Sequence, residues 1–296
     1  MIRSHKLYLV AAALGLAAFG LAWQESASTS KTFYYPNGQK AREGALVDGK
    51  RNGLWRAWYD DGVLAYEGGF QDYKRVGEWT FYSQAGKKLE SGSYVDGQRT
   101  GKWMQLYGNG AVKNESTWLD GVEQGERIET DNGGIVRARY RMFDGLKHGA
   151  ALMYGPKGQL AQQGQYAFGR RVGDWTYFKG DEGMRSRGTF VGDKENGHWR
   201  FYYPSGDVEA EGPFVEGKQH GAWVGYYEDG RLRFEGTFEQ GSASGVWRHY
   251  WPTGLLMSTG EMRGGMHNGY WNFYDEFGRP DGAQTGVYLD DKRLED

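Results

Sequence analysis

GLWRAWYDDGVLAYEGGFQDYKRVG, residues 53–77, begins and ends on glycine, and the 24-residue interval between the two recurs along most of the chain. Gly53, Gly77, Gly101, Gly125, Gly149, Gly173, Gly197, Gly221, Gly245 and Gly269 share one phase. Two positions after each glycine stands a tryptophan, Trp55, Trp79, Trp103, Trp175, Trp199, Trp223, Trp247 and Trp271, except in two adjacent units that carry Arg127 and Ala151. A second glycine ladder runs through Gly38, Gly62, Gly86, Gly110, Gly134, Gly158, Gly206, Gly230, Gly254 and Gly278, with Glu182 in its one interruption. A third, Gly44, Gly68, Gly92, Gly164, Gly188, Gly212, Gly236 and Gly260, is followed two residues later by a large apolar side chain such as Phe70 or Tyr94. A fixed period of this size means an array of stacked units.

Each unit reads as a β-hairpin: an outgoing segment such as GLWRAWY (53–59), a turn such as DDGV (60–63) and a return such as LAYEGGF (64–70). A polar connector such as DGQRTG (96–101) then ends on the next ladder glycine. Aromatic and β-branched residues suit strands, and Asn-Gly and Asp-Gly pairs supply the positive φ of tight turns. Glycine inside a strand marks a close approach to the backbone, so aromatic rings are expected over the glycines of neighbouring units. The expected fold is all-β: an elongated single-layer antiparallel sheet of about ten 24-residue hairpin repeats over residues 31–282, with a capping strand and charged tail over 283–296. At about 4.7–4.9 Å per strand it would extend on the order of 95 Å. No unit can bury its aromatic face alone, so neighbours should unfold together.

Composition agrees. Among 296 residues, 49 Gly far exceed ordinary usage, yet 6 Pro rule out collagen, and 12 Trp, 21 Tyr and 14 Phe carry too much burial energy for a solvated linker. A formal net charge of −2 offers no field for nucleic acid, and the absence of Cys excludes a disulfide framework, a thiolate zinc site and a lipoprotein anchor. Near the N-terminus, Arg3, His5 and Lys6 precede the uncharged run LYLVAAALGLAAFGLAW (7–23). Residues 1–30 therefore read as a signal peptide or a membrane anchor, forming one apolar helix. Basic residues ahead of the run place the array outside the cytoplasm, periplasmic or secreted, either released or anchored in the cytoplasmic membrane through residues 7–23.

The G-x-x-x-G-x-W-x-x-[YFW]-Y pattern, the Asn/Asp-Gly turn and the E-G-x-[FY] return resemble MORN repeats, specifically the bacterial variant of YwqK-type antitoxin proteins, from Phe33 to Tyr288. In the better-known eukaryotic form a His-Gly pair is common, and here His148-Gly149 and His220-Gly221 keep it. The resemblance implies a rolled single-layer hairpin sheet used for protein binding, membrane-proximal assembly or lipid contact, and no catalysis.

Chemistry is hard to find in the residues themselves. GALVDGKR from Gly44 and GPFVEGKQ from Gly212 fit G-x-x-x-x-G-K but lack the Ser or Thr that holds magnesium, and both fall at one phase of the repeat. No histidine cluster has ligand spacing, and Asp48, Asp72, Asp96, Asp120 and Asp144 recur at the connectors as turn residues. The reading is a non-enzyme with no metal and no cofactor. Two surfaces are candidates for a protein partner. In the irregular fourth and fifth units, Arg137, Arg139 and Arg141 line one strand face, with Trp118 expected beside them; the competing reading pairs these arginines with Glu126, Glu129 or Asp131. Aromatic pairs before the turns, among them Trp58, Tyr59, Tyr203, Tyr227 and Trp251, form the second, one member of each expected to face outward; the competing reading is stacking between units. The expected function is a protein-interaction scaffold of the cell envelope, with toxin neutralisation or binding of envelope lipid or glycan as alternatives. Open sheet edges at Phe33 and Tyr288 could also pair with another copy.

Overall fold

A computed structural model describes residues 28–295; the apolar run 7–23 and its expected helix lie outside the described residues. Twenty-four strands follow one another in a single open antiparallel sheet, interrupted by one 3-10 turn at Gly180–Glu182. Strands pair with their neighbours in the chain, and the first, Ser28–Tyr34, and the last, Lys292–Arg293, each pair on one side only. Among the described residues no helix is long and apolar enough to cross a membrane.

Two kinds of turn alternate along the two long edges. At the wide turns, Tyr59 N–H donates to Val63 O and Gly62 N–H to Tyr59 O, and Gly62 has φ +87°; this is a type I turn closed by a left-handed glycine. The other turns are tighter. Asp96 and Gly97, at φ 51° and 85°, are the two central residues of a type I′ turn, and the following strand starts at Gln98. The connector expected to run to Gly101 is thus a two-residue hairpin turn, and the ladder glycine belongs to the strand.

The glycine ladders have different causes. Gly53 and its equivalents all take positive φ, and at Gly53, Gly77, Gly101, Gly173, Gly197 and Gly245 the space around the missing Cβ is open, so conformation and not close approach selects them. Each stands in a bulge: Ala45 opposes Asn52 while Gly44 opposes Trp55, which leaves two extra residues on the longer strand. At the third ladder the expected close approach is real. A Cβ on Gly68 would lie 2.2 Å from the Trp79 ring, and all eight tryptophans of the ladder lie over a glycine of the preceding strand in this way. The indole N–H then reaches past that glycine to the carbonyl of the next residue, Trp55 to Ala45 at 3.0 Å and Trp271 to Glu261 at 2.9 Å. A bulky ring lies flat because glycine leaves room, and its one polar atom is satisfied where the bulge spreads the ladder.

All these rings occupy one face. Trp55, Trp79, Trp103, Trp175 and Trp271 are at most 1% exposed, sealed by edge-on contacts such as Phe70 to Trp79 (5.0 Å) and by guanidinium groups, Arg75 at 4.5 Å from Trp79 and Arg99 at 4.0 Å from Trp103. The opposite, open face carries charged rows, as where Arg56 lies between Glu43 and Glu67. At the far end, the strand Gly286–Leu289 is displaced by two residues from the repeat phase, and the Arg293 side chain takes the place of a tryptophan over Gly286.

Candidate partner-binding surfaces

The two units without tryptophan solve the packing differently. Tyr140 opposes Ala151, so the large side chain has moved to the glycine position and the small one to the tryptophan position; both are buried. One unit earlier, Ser116 opposes Arg127, and stacking gives way to charge. Arg127 pairs with Glu129 at 2.8 Å and with the buried Glu123 at 3.2 Å, while Glu123 takes the position that Arg51, Arg75 and Arg99 hold elsewhere. This polar seam, with Asn114 and Ser116 also buried, separates an aromatic block around Trp55–Trp103 from one around Tyr140–Trp199.

Trp118 lies on the core face. Its indole donates to Ser116 Oγ at 2.9 Å, and the Arg99 guanidinium is 5.1 Å from its ring. Arg137, Arg139 and Arg141 alternate with the buried Ala138, Tyr140 and Met142 and so point to the open face. The expected neighbourhood of Trp118 and the arginine row is therefore corrected: the two lie on opposite faces of the sheet, with the strand Val122–Thr130 between them. The row itself is partly neutralised. Arg137 pairs with Asp131 at 2.8 Å and Arg139 with Glu126 at 3.1 Å, whereas Arg141 has no carboxylate partner among the described residues. Backbone N–H groups, chiefly that of Ile135, together with Arg137 hold the Asp131 carboxyl below its usual range against the opposing effect of desolvation.

The open face next to this row departs from the rest of the array. Met104, Glu115, Ile128, Arg139 and Leu152 oppose one another across five consecutive strands. Equivalent positions elsewhere hold Arg56, Arg200 and Arg248, each ion-paired to a glutamate across the strand. Aliphatic side chains have replaced the cations, and beside them lies a hollow of about 400 Å³ lined by Glu126, Arg139, Arg141, Ala150 and Leu152. Met104, Ile128 and Leu152 are legible only by aligning the units in phase, where the other units hold arginine, threonine or asparagine and a single further aliphatic residue, Val224. A second hollow of about 450 Å³, around Asp174, Arg187 and Arg200, is closed on itself by the bonds Thr189–Asp174 (3.0 Å) and His198–Glu211 (2.9 Å).

The paired aromatics act largely in cohesion between units. Tyr59 donates its hydroxyl to Tyr82 O at 2.7 Å, Tyr203 to Tyr226 O at 2.8 Å and Tyr227 to Tyr250 O at 2.6 Å, and the Trp251 indole donates to Tyr274 O at 3.0 Å. Each bond spans 23 residues and stitches a wide turn to the next unit. Trp58 is half-buried with the Lys40 ammonium 5.6 Å from its ring.

Comparison with known proteins places these features. No curated protein matches the chain. Among solved structures, the TcdB2-TccC3-Cdc42 complex aligns at 13% identity over 84% of this chain and 15% of that one, with a TM-score of 0.20. A Tc holotoxin pore of Photorhabdus luminescens aligns at 13% identity over 83% and 15%, with a TM-score of 0.19. The chain spans about 15% of those proteins, and likenesses at this level carry no argument. The description that does match is MORN repeat variant, at residues 51–72, 195–216 and 219–240. Each of the three segments starts two residues before a bulged glycine and runs through the wide turn and the return strand, so these units of the array are MORN repeats of the variant class.

Proposed function

We propose that the protein is a non-catalytic interaction scaffold that holds a protein partner on the open face between Met104 and Leu152. One observation carries this reading: where the repeat breaks, the two faces exchange character. The core face turns ionic at Glu123, Arg127 and Glu129, and the open face turns aliphatic at Met104, Ile128 and Leu152. Burying charge on one side while leaving half-buried aliphatic side chains on the other lowers stability on both counts, an arrangement that a binding requirement accounts for. Arg139 and Arg141 beside the strip favour a partner that presents a carboxylate next to an apolar side chain. The envelope location follows from residues 1–30 and belongs to the same proposal.

Cross-linking in intact cells with a C-terminally tagged chain, followed by mass spectrometry of the bait and its partners, tests it. One stoichiometric partner that is retained by wild type and lost from Ile128→Ser/Arg141→Ser, with unchanged melting, is the expected result. Retention by that variant refutes the assigned face, and enrichment of wall or lipid without protein refutes the scaffold. A partner with toxin activity would make neutralisation the scaffold's purpose.

A further inference from the structure

We propose that a second surface, the tight-turn edge between Leu119 and Phe168, docks a cationic amphipathic segment of a protein partner. Along this edge a lysine at the start of one strand clips the turn that follows it: Lys50 to Asp72 at 3.8 Å, Lys74 to Asp96 at 2.6 Å and Lys194 to Glu216 at 2.5 Å. In the centre the clips are gone. Gln98, Val122 and Leu146 hold the lysine position, and each still lies under the following turn, as the contacts at Gly121, Gly145 and Gly169 show. Asp120 and Asp144 are therefore left without a side-chain ion-pair or hydrogen-bond partner among the described residues.

Apolar side chains fill the same stretch. Leu119, Phe143 and Phe168 are 58%, 52% and 61% exposed, and Phe143 and Phe168 meet edge to face at 6.4 Å with His148 against Phe168 at 4.8 Å. Phe168 is the sharpest departure. It stands at φ +47° in a turn position that Asp48, Asp72, Asp96, Asp120 and Asp144 occupy in the five preceding units. A bulky residue is disfavoured in the left-handed region, and exposure adds nothing to offset it. Two unpaired carboxylates about one unit apart, on the order of 10 Å, among the exposed side chains of Leu119, Phe143 and Phe168 match a segment that alternates lysine or arginine with large apolar residues. An anionic membrane would meet those carboxylates unfavourably.

A labelled 18-residue Leu/Lys amphipathic peptide, titrated into the full-length chain by fluorescence anisotropy, tests this against its Leu/Glu counterpart and against anionic vesicles. The Leu/Lys peptide should bind and weaken with salt. Asp120→Asn/Asp144→Asn should weaken it roughly five- to tenfold. Phe168→Asn, which suits the left-handed turn position without adding charge and should raise the melting temperature, should weaken it as well. Asp48→Asn, at the same turn position outside the patch, should leave affinity unchanged. Equal binding of both peptides, equal loss with Asp48→Asn, or association with vesicles in place of the peptide would overturn the proposal.

Discussion

Rebuilding the broken stack is the most direct test of how this array coheres. In the three tryptophan units that precede the break three positions act together: glycine below, tryptophan over it, and arginine above the ring, as in Gly92, Trp103 and Arg99. The fourth unit has Ser116, Arg127 and Glu123 at those positions. Arg127→Trp alone should destabilise by about 3–5 kcal/mol, because it leaves the buried Glu123 unpaired and sets a ring against the Ser116 side chain. Ser116→Gly with Glu123→Arg and Arg127→Trp supplies the whole set, and the new indole N–H would find the Thr117 carbonyl as Trp103 finds that of Ser93 at 3.2 Å. Burial of an aromatic ring of about 150–250 Å² at about 25 cal/mol per Å² gives roughly 4–6 kcal/mol as an upper figure. Side-chain ordering and loss of the Trp118–Ser116 bond reduce this to a net gain of about 2–4 kcal/mol over wild type. Urea unfolding followed by circular dichroism reads the result. Wild type should unfold with the two aromatic blocks partly uncoupled, and the triple variant in one steeper transition at higher urea. A triple variant less stable than wild type, or a neutral Arg127→Trp, would refute the account of the seam.

The glycine ladders should separate by cause. Gly68→Ala, which drives a Cβ into the Trp79 ring, should cost more than about 3 kcal/mol, whereas Gly77→Ala, at φ +66° with open space, should cost only about 1–2 kcal/mol; chemical denaturation distinguishes them. Tyr59→Phe removes the bond to Tyr82 O and should cost about 1 kcal/mol by thermal melting while partner capture persists, in contrast to an open-face change. Near the C-terminal end, His249 is stacked between Trp247 and Trp271, and burial, helped by His267, pushes its pKa below the ordinary value. The unfolded chain then binds a proton that the folded chain refuses, so stability is full above about pH 6.5 and declines as pH falls from there towards the depressed folded value. Asp131 and Asp229, whose carboxyls are also held low, lose stability in the same direction at lower pH. His249→Phe should flatten the melting temperature between pH 7.5 and 5.5; an unchanged slope would contradict the assignment.

Much of the fold was legible because a strict period forces every unit into one local geometry. Glycine two residues before tryptophan, the Asn/Asp-Gly turns and the third ladder read directly as strands, turns and ring-over-glycine contacts. The connector is ambiguous in sequence because a type I′ turn and a bulge four residues later, as at Gly97 and Gly101, both require positive φ, and glycine alone does not say which. Trp118 and the arginine row are divided for a reason of parity, since they stand on opposite faces of strands two apart in the sheet, and the register across the strand between them sets which face each side chain takes. Reading Tyr59 and Tyr203 as surface aromatics missed that their hydroxyls bond 23 residues onward, a contact that exists only once the units are stacked.

By itself the sequence determined the period, the all-β hairpin unit and the chemistry of each recurring position, because these depend on φ preference, side-chain size and spacing within about two strands. Only the tertiary structure decided which face is sealed, where the stack is broken and which charges are spent on one another. Those outcomes depend on register between strands 11 to 24 residues apart, where a shift of one residue would carry Arg127 to the open face and Ile128 into the core.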